Sequence, residues 1–335
     1  MTDQPLALTL GDPAGVGPEI VVKAWRALRE TGPAFFVVGD AQALSSASGS
    51  SRAIVKAISS VDEARAAFAD AIPVLDLPVR APVVAGQPSP AAAQAIIRWI
   101  ETAVGLTLSK TASGLVTAPI AKAPLYAAGF KFPGHTEFLG DLTAAVRHDG
   151  ARGPVMMLAA ADLRVSLVTV HEPLAAVPGK LSIEAIVNAG LVTAQALKRD
   201  FGVATPRLAV AGLNPHAGEG GTIGREEVEI VEPAIRALRD LGVEVRGPVP
   251  SDTLFHAEAR ATYDAALCLY HDQALIPVKM LDFWGGVNVT LGLPIVRTSP
   301  DHGTAFDIAG RGVARADSLI AAIRMAAEIA RRRAG

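Results

Sequence analysis

Short apolar runs alternate along this chain with stretches of helical period, and that alternation constrains the fold more than any other feature. The runs fall at residues 6–10, 35–38, 115–116, 155–158, 165–170, 208–213 and 265–270. The last three are rich in Val, Leu and Ala and bounded by polar loop signals, as parallel strands buried on both faces should be. Ile96, Ile100, Ala103 and Val104 recur on one helical face, and Leu319, Ile323, Ala327 and Ala330 on another. Strands alternating with helices build βαβ units, so an α/β fold with a largely parallel sheet is expected.

A chain of 335 residues is long enough for roughly two domains. Half of it is hydrophobic and 19% is charged, which excludes a disordered chain. The formal net charge is −2. No global field therefore attracts nucleic acid or an anionic membrane, and an anionic substrate must be held by local basic residues. The one cysteine, Cys268, lies inside an apolar run, so no intrachain disulfide exists and a cytoplasmic setting is expected. The first residues lack a basic segment followed by a long apolar one, and no later stretch is apolar enough to span a bilayer. Ser318 is expected to cap the last helix, and Arg331, Arg332 and Arg333 suit its negative end. Residues 49–90, rich in Ala, Ser and Pro, offer no motif.

Three of the seven histidines share a context: His171, His216 and His271 each follow closely on one of the last three apolar runs. In open α/β sheets ligands collect at the carboxyl ends of strands, so these imidazoles can converge there. Three imidazoles suit a divalent first-row metal and leave a coordination position for substrate. A histidine at a strand end also reads as a capping or hydrogen-bonded residue.

Four loops carry further polar chemistry. GDPAGVGPEI at 11–20 joins the first run to a helix whose first turn holds Pro18 and Glu19; it either cradles an anion or is a tight turn. It is no Rossmann fingerprint, because Ile20 stands where the third glycine belongs. FPGHTEFL at 132–139 places His135 and Thr136 at a helix amino end, with Thr136 the expected N-cap, where phosphate or carboxylate is favoured. LNPHAGEGGTIGREE at 213–227 carries His216 among four glycines. YHDQALIPVKM places Asp272 beside His271 and Lys279 eight residues on, and Asn288 and Arg297 follow. An arginine grips carboxylate or phosphate through two hydrogen bonds, and a lysine serves as a point charge or a base.

Together GDPAGVGPE, GHTEF, LNPHAGEGG, SDTLF, YHDQ and RTSPDHGTAFDIAG closely resemble the 4-hydroxythreonine-4-phosphate dehydrogenase family of pyridoxal phosphate biosynthesis. The resemblance implies a two-domain fold of the isocitrate and isopropylmalate dehydrogenase type. It also implies a homodimer with its active site where domains and subunits meet. Residues 1–130 with 300–335 would form the nucleotide-side domain, and 131–299 the metal and dimer-interface domain. It makes His171, His216 and His271 the metal ligands, with His271 coming from the neighbouring subunit. Substrate contacts then fall on His135, Thr136, Lys279, Asn288 and Arg297, with Asp252 and Asp272 behind them. The 299–312 loop is similar to the one that holds adenosine in the isopropylmalate and isocitrate dehydrogenases, except that Phe306 replaces a proline. That places NAD or NADP near His302, Gly303, Thr304 and Asp307.

The implied reaction oxidises the C3 hydroxyl of 4-phosphohydroxy-L-threonine and loses carbon dioxide to give 3-amino-2-oxopropyl phosphate. One divalent cation (zinc, cobalt or magnesium) acidifies the hydroxyl, and Lys279, with a pKa depressed by burial and neighbouring cations, is the candidate base, Asp272 standing beside it. The alternatives are a sister dehydrogenase acting on a substrate such as 4-phosphothreonate, a metal-dependent hydrolase needing no nicotinamide, and a non-catalytic metal-binding protein.

Overall fold

The computed structural model describes residues 4–47 and 54–335. Among them are twelve strands: β1 (Leu6–Thr9), β2 (Phe35–Gly39), β3 (Val55–Ile58), β4 (Ile72–Asp76), β5 (Leu115–Thr117), β6 (Val155–Ala160), β7 (Leu163–Leu167), β8 (Arg207–Ala211), β9 (Glu244–Val249), β10 (Ala265–Cys268), β11 (Val287–Leu291) and β12 (Arg297–Pro300). The chain forms two compact units, Met1–Ala145 with Pro294–Gly335 and Val146–Leu293. Both are α/β, as the alternating pattern predicts.

In the first unit the strand order is β3-β4-β2-β1-β5-β12, and every pairing is parallel. All residues of β1 and β2 are buried, which is why they read as continuous apolar runs. The helix Ala93–Leu108 covers β1 and β2 with Ile96, Trp99, Ile100 and Val104. The helix Asp317–Ala334 packs on β12.

In the second unit the order is β11-β6-β7-β10-β8-β9. β6 pairs antiparallel with β11 and with β7, and β7, β10, β8 and β9 pair parallel in that order. The β6–β7 hairpin turns on Ala161 and Asp162, with Ala161 at φ 50°, which suits a two-residue turn of positive φ. Leu158, Val165, Leu167, Ala266, Cys268 and Val278 share one buried core cluster.

Two capping expectations fail. Ser318 lies inside the last helix, whose N-cap is Ala316, because its hydroxyl accepts from the Asp301 N–H at 3.0 Å. Thr136 is likewise in the first turn, with Gly134 at the N-cap. The stretch at 49–90 holds β3, the helix Asp62–Ala67 and β4. β3 is half exposed, and Pro73 in β4 argues locally against a strand.

Among the described residues no single helix is long and apolar enough to cross a membrane. Trp99 is fully buried and its Nε1 donates to Leu77 O at 2.8 Å. Trp99→Ala is expected to cost about 3–5 kcal/mol, read as a lowered urea midpoint; a midpoint equal to wild type would contradict this packing.

Candidate functional site

Because β7, β10 and β8 are parallel neighbours, their carboxyl ends lie at one edge of the second unit's sheet. His171 follows β7, His216 follows β8, and His271 follows β10 at the first position of the helix His271–Leu281. The rings of His171 and His271 stand 5.9 Å apart, tilted by 41°. Both line a cavity of about 320 Å³ with Glu172, Tyr270 and Asp272. His271 Nδ1 is 2.7 Å from Asp272 Oδ1, which leaves Nε2 for another partner; metal-bound imidazoles commonly have such a carboxylate behind them. His216 is exposed and does not line this cavity. Among the described residues no group of three His, Cys, Asp or Glu side chains in one chain can hold a metal ion.

The loop of His216 is built from left-handed backbone. His216, Ala217, Gly218, Glu219 and Gly220 all have φ between 45° and 78°, which costs energy at the three non-glycine positions. The side chain of Glu227, 1% exposed, holds the loop. Its carboxylate accepts from the backbone N–H of Leu213 at 2.8 Å and Asn214 at 2.7 Å, and from Asn214 Nδ2 at 2.9 Å. A side chain at Gly218 would stand 2.6 Å from Glu227 Oε2, so the glycines make room for the carboxylate. Glu227 went unnoticed in the sequence, where it reads as one of two adjacent surface acids.

Elsewhere in this unit, Lys279 lies in the last turn of the His271–Leu281 helix with Nζ 5.2 Å from the centre of the Phe283 ring, a cation–π contact. Asn288 sits on β11, its Oδ1 buried with no hydrogen-bond partner among the described residues. Asp252 is exposed in the short helix Ser251–Leu254.

In the first unit a second cluster forms around His135 and Arg297, 162 positions apart (297 − 135) in sequence. Arg297, 3% exposed on β12, donates through Nη2 to Thr117 Oγ1 at 2.7 Å. Burial pushes its guanidinium down to about 10, against the pull of the Glu137 carboxylate, so it stays charged at neutral pH. The ring of His135 is half-buried, but its Nε2 is fully buried and has no hydrogen-bond partner among the described residues. Burial, then the charges of Arg297 and Lys122, hold this imidazole well below its ordinary range and therefore neutral. Thr117 on β5 and Lys122, the first residue of the helix Lys122–Ala127, join the cluster. A cationic cluster with an unpartnered nitrogen at a helix amino end suits an anionic, hydrogen-bonding ligand.

The loop of the GDPAGVGPE motif also belongs to this unit. Gly11 has φ 75°, and a Cβ there would meet Pro119 O at 2.5 Å, so only glycine fits. Burial raises the pKa of Asp12, opposed by its bond from Ala14 N. The helix Gly17–Leu28 begins with Pro18 and Glu19 in its first turn, as the sequence predicts. Glu19 accepts from Ala314 N at 2.8 Å and Gly312 N at 3.2 Å, and Thr304 O accepts from Val16 N at 2.9 Å. Those bonds fix both ends of the 304–314 segment. His302, Gly303 and Asp307 are exposed along it and Thr304 is half-buried. A cavity of about 640 Å³ beside it is lined by Gly15, Asp40, Gln42, Arg80 and Gly310 among others.

With the geometry described, the chain can be set beside known proteins. Residues 32–326 match the family model described as pyridoxal phosphate biosynthetic protein PdxA. The chain is 70% identical over 333 residues to the 4-hydroxythreonine-4-phosphate dehydrogenase of Caulobacter vibrioides, covering 99% of each. It is similar to a crystal structure of the 4-hydroxythreonine-4-phosphate dehydrogenase of Klebsiella pneumoniae, with TM-score 0.85 and 41% identity over 98% of this chain and 100% of that one. A terephthalate 1,2-cis-dihydrodiol dehydrogenase structure from Burkholderia xenovorans aligns with TM-score 0.63 and 29% identity over 96% of this chain and 97% of that one.

Two outcomes are expected. Glu227→Ala strands two part-buried N–H groups, each costing up to about 1–3 kcal/mol, so thermal denaturation should show a clear drop in Tm. Because the folded pKa of His135 lies below its ordinary 6.5, the unfolded chain binds this proton first. Its contribution to stability is present above about pH 6.5 and lost as pH falls below that. His135→Gln should flatten the acid limb of a stability–pH curve between about pH 7 and 5, and an unchanged slope would contradict the neutral imidazole.

Proposed function

This chain belongs to the PdxA family of pyridoxal phosphate biosynthetic proteins, and we propose that it is a metal- and NAD(P)-dependent 4-hydroxythreonine-4-phosphate dehydrogenase of the cytoplasm. The observation that carries this reading is 70% identity, over 99% of its length, to a relative of that name. The substrate is 4-phosphohydroxy-L-threonine, oxidised at C3 to 2-amino-3-oxo-4-phosphooxybutanoate, which decarboxylates to 3-amino-2-oxopropyl phosphate.

His135, Thr136, Arg297, Lys279 and Asn288 take the anionic ends of the substrate, and Asp252 is a further substrate contact. The neutral His135 supplies hydrogen bonding and the buried Arg297 supplies charge, the division of labour that a phosphate and a carboxylate require. His171, His216 and His271 hold the divalent cation (zinc, cobalt or magnesium), and the Asp272 carboxylate orients the ring of His271. When bound, the cation would supply Lewis acidity toward the C3 hydroxyl and the nicotinamide would supply a hydride acceptor. Lys279 takes the hydroxyl proton. NAD or NADP lies along His302, Gly303, Thr304 and Asp307, and the neighbouring cavity offers room for its adenosine end.

A homodimer follows from the same reading, with His271 contributed by the neighbouring subunit. Two features support it: one chain by itself assembles no three-ligand group among the described residues, and the helix that starts at His271 exposes Ile276 by 65% and Met280 by 76%, followed by Phe283 and Trp284 at 60% and 50%. An exposed apolar patch of this kind marks an association surface.

The terephthalate dihydrodiol dehydrogenase likeness favours one second reading, a sister enzyme with another substrate. Reduced-cofactor absorbance with 4-phosphohydroxythreonine against 4-phosphothreonate separates the two, and faster turnover of the latter would displace the first reading. Arg297→Ala should lower kcat/KM by about 10²-fold or more, since it removes one partner of a buried charged contact. Lys279→Ala should lower kcat at least as far; turnover within a few-fold of wild type would remove it as the base. The pair Ile276→Glu and Met280→Glu should sediment as a monomer and lose activity, whereas an active monomer would rule out the shared site.

A further inference from the structure

We propose that Glu19 and Lys23 are positioning residues that preset the 304–314 segment for the adenosine end of the dinucleotide, an inference that rests on the NAD(P)-dependent reading above. Both stand in the first two turns of the helix Gly17–Leu28, which the GDPAGVGPE motif opens. Glu19 is 5% exposed, and its Oε1 lies 2.8 Å from Lys23 Nζ. The same carboxylate accepts from Ala314 N and Gly312 N. Lys23 Nζ donates to the carbonyls of those two residues, Gly312 O at 2.9 Å and Ala314 O. One ion pair thus takes both polar backbone groups of two residues that stand 289 to 295 positions away in the chain.

A Glu–Lys pair four residues apart is an ordinary stabiliser of a helix face, but that role needs neither the N–H groups nor the carbonyls of a distant loop. The other end of the segment is held by the same motif. Val16 N donates to Thr304 O at 2.9 Å, and a Cβ at Gly15 would stand 2.8 Å from that oxygen. Between the two ends the chain turns on local bonds, Ile308 N to Ala305 O and Arg311 N to Ile308 O, both at 3.2 Å. A segment fixed at both ends is already ordered when a ligand arrives, so less of the binding energy is spent on ordering it. The chain fits an adenosine there. The cavity of about 640 Å³, lined by Glu19, Gly15 and Gly310, has the size of a small-molecule site, and a Cβ at Gly303 would meet no atom within 4 Å. All these residues belong to the first unit of one chain, so the clamp is complete within a single subunit.

Lys23→Met keeps a long unbranched side chain and good helix propensity but removes every donor. Glu19→Gln removes the charge and some of the acceptor capacity. The measurement is the affinity of the purified full-length protein for NADH and for NADPH, by fluorescence titration, beside steady-state kinetics and the thermal midpoint. Lys23→Met should bind the reduced dinucleotide about tenfold more weakly and raise KM for the oxidised one to match. Its kcat and its KM for 4-phosphohydroxythreonine should stay within about twofold of wild type. Glu19→Gln should show a loss in the same direction. A merely structural role would lower the thermal midpoint and leave the dinucleotide affinity alone. Affinity within about twofold of wild type in a folded Lys23→Met protein overturns the inference. If Lys23→Met does not fold, Glu19→Gln decides by the same limit. A wild-type protein that binds neither NADH nor NADPH would sink the NAD(P) reading and this inference together, whereas a dinucleotide-binding wild type with unaffected variants sinks the inference alone.

Discussion

Parallel pairing of β7, β10 and β8 is the constraint on which the second unit depends. Ala266 pairs with Val165 and Ala209, and Leu267 with Ser166 and Val210, so the register of three strands is locked at one central pair. Parallel strands end at the same edge, and each of these three is followed within a few residues by a histidine. A slip of one residue would exchange the two faces on which Leu267 and Val165 pack, and the close packing of both buried faces opposes it. Cys268, fully buried on β10, belongs to this packing; burial pushes its thiol upward, which makes it a small apolar residue and not a nucleophile.

Loops leaving that edge carry backbone groups with no ladder to pair in, and each must find a partner or water. Buried side chains meet the need. Glu227 takes two N–H groups of the His216 loop, Gln273 takes one N–H and one carbonyl, and Thr169 takes another carbonyl. Such partners let the His216 loop keep five consecutive left-handed residues. The strain persists because the surroundings over-determine it, a pattern found where a backbone is shaped for a ligand.

The first unit solves a different problem, the gathering of cations. Arg297 is inserted from β12 beneath the amino end of the helix His135–Leu142, with Thr117 as its hydroxyl partner. A third positive charge on His135 would be costly there, and burial together with Arg297 and Lys122 keeps the imidazole neutral. The Glu19–Lys23 pair does comparable work at the 312–314 segment, binding Ala314 N and the Gly312 carbonyl at 2.8 and 2.9 Å. In each case charge is concentrated locally, and the net charge of −2 conceals both.

Fold class was legible because strands buried on both faces must be apolar throughout: β1, β2, β7, β8 and β10 all stand out as runs. The helix at Gly17–Leu28 was equally plain, since Pro18 and Glu19 suit a first turn whatever surrounds it. The capping role of Ser318 was misread, because a serine near a helix start has the same local chemistry whether it bonds its own helix or, as here, Asp301 of a neighbouring loop. β3 and β4 were missed where exposure and Pro73 erase the strand signal. By itself the sequence determined the fold class, the strands buried on both faces and where the imidazoles leave them, because those follow from hydrophobic patterning and short-range spacing. Only the tertiary structure decided that Gln273 and Glu227 tie the loops after those strands and that Thr117 and Lys122 stand by Arg297 and His135, since a hydrogen bond or a charge contact between residues far apart in the chain leaves no periodic mark.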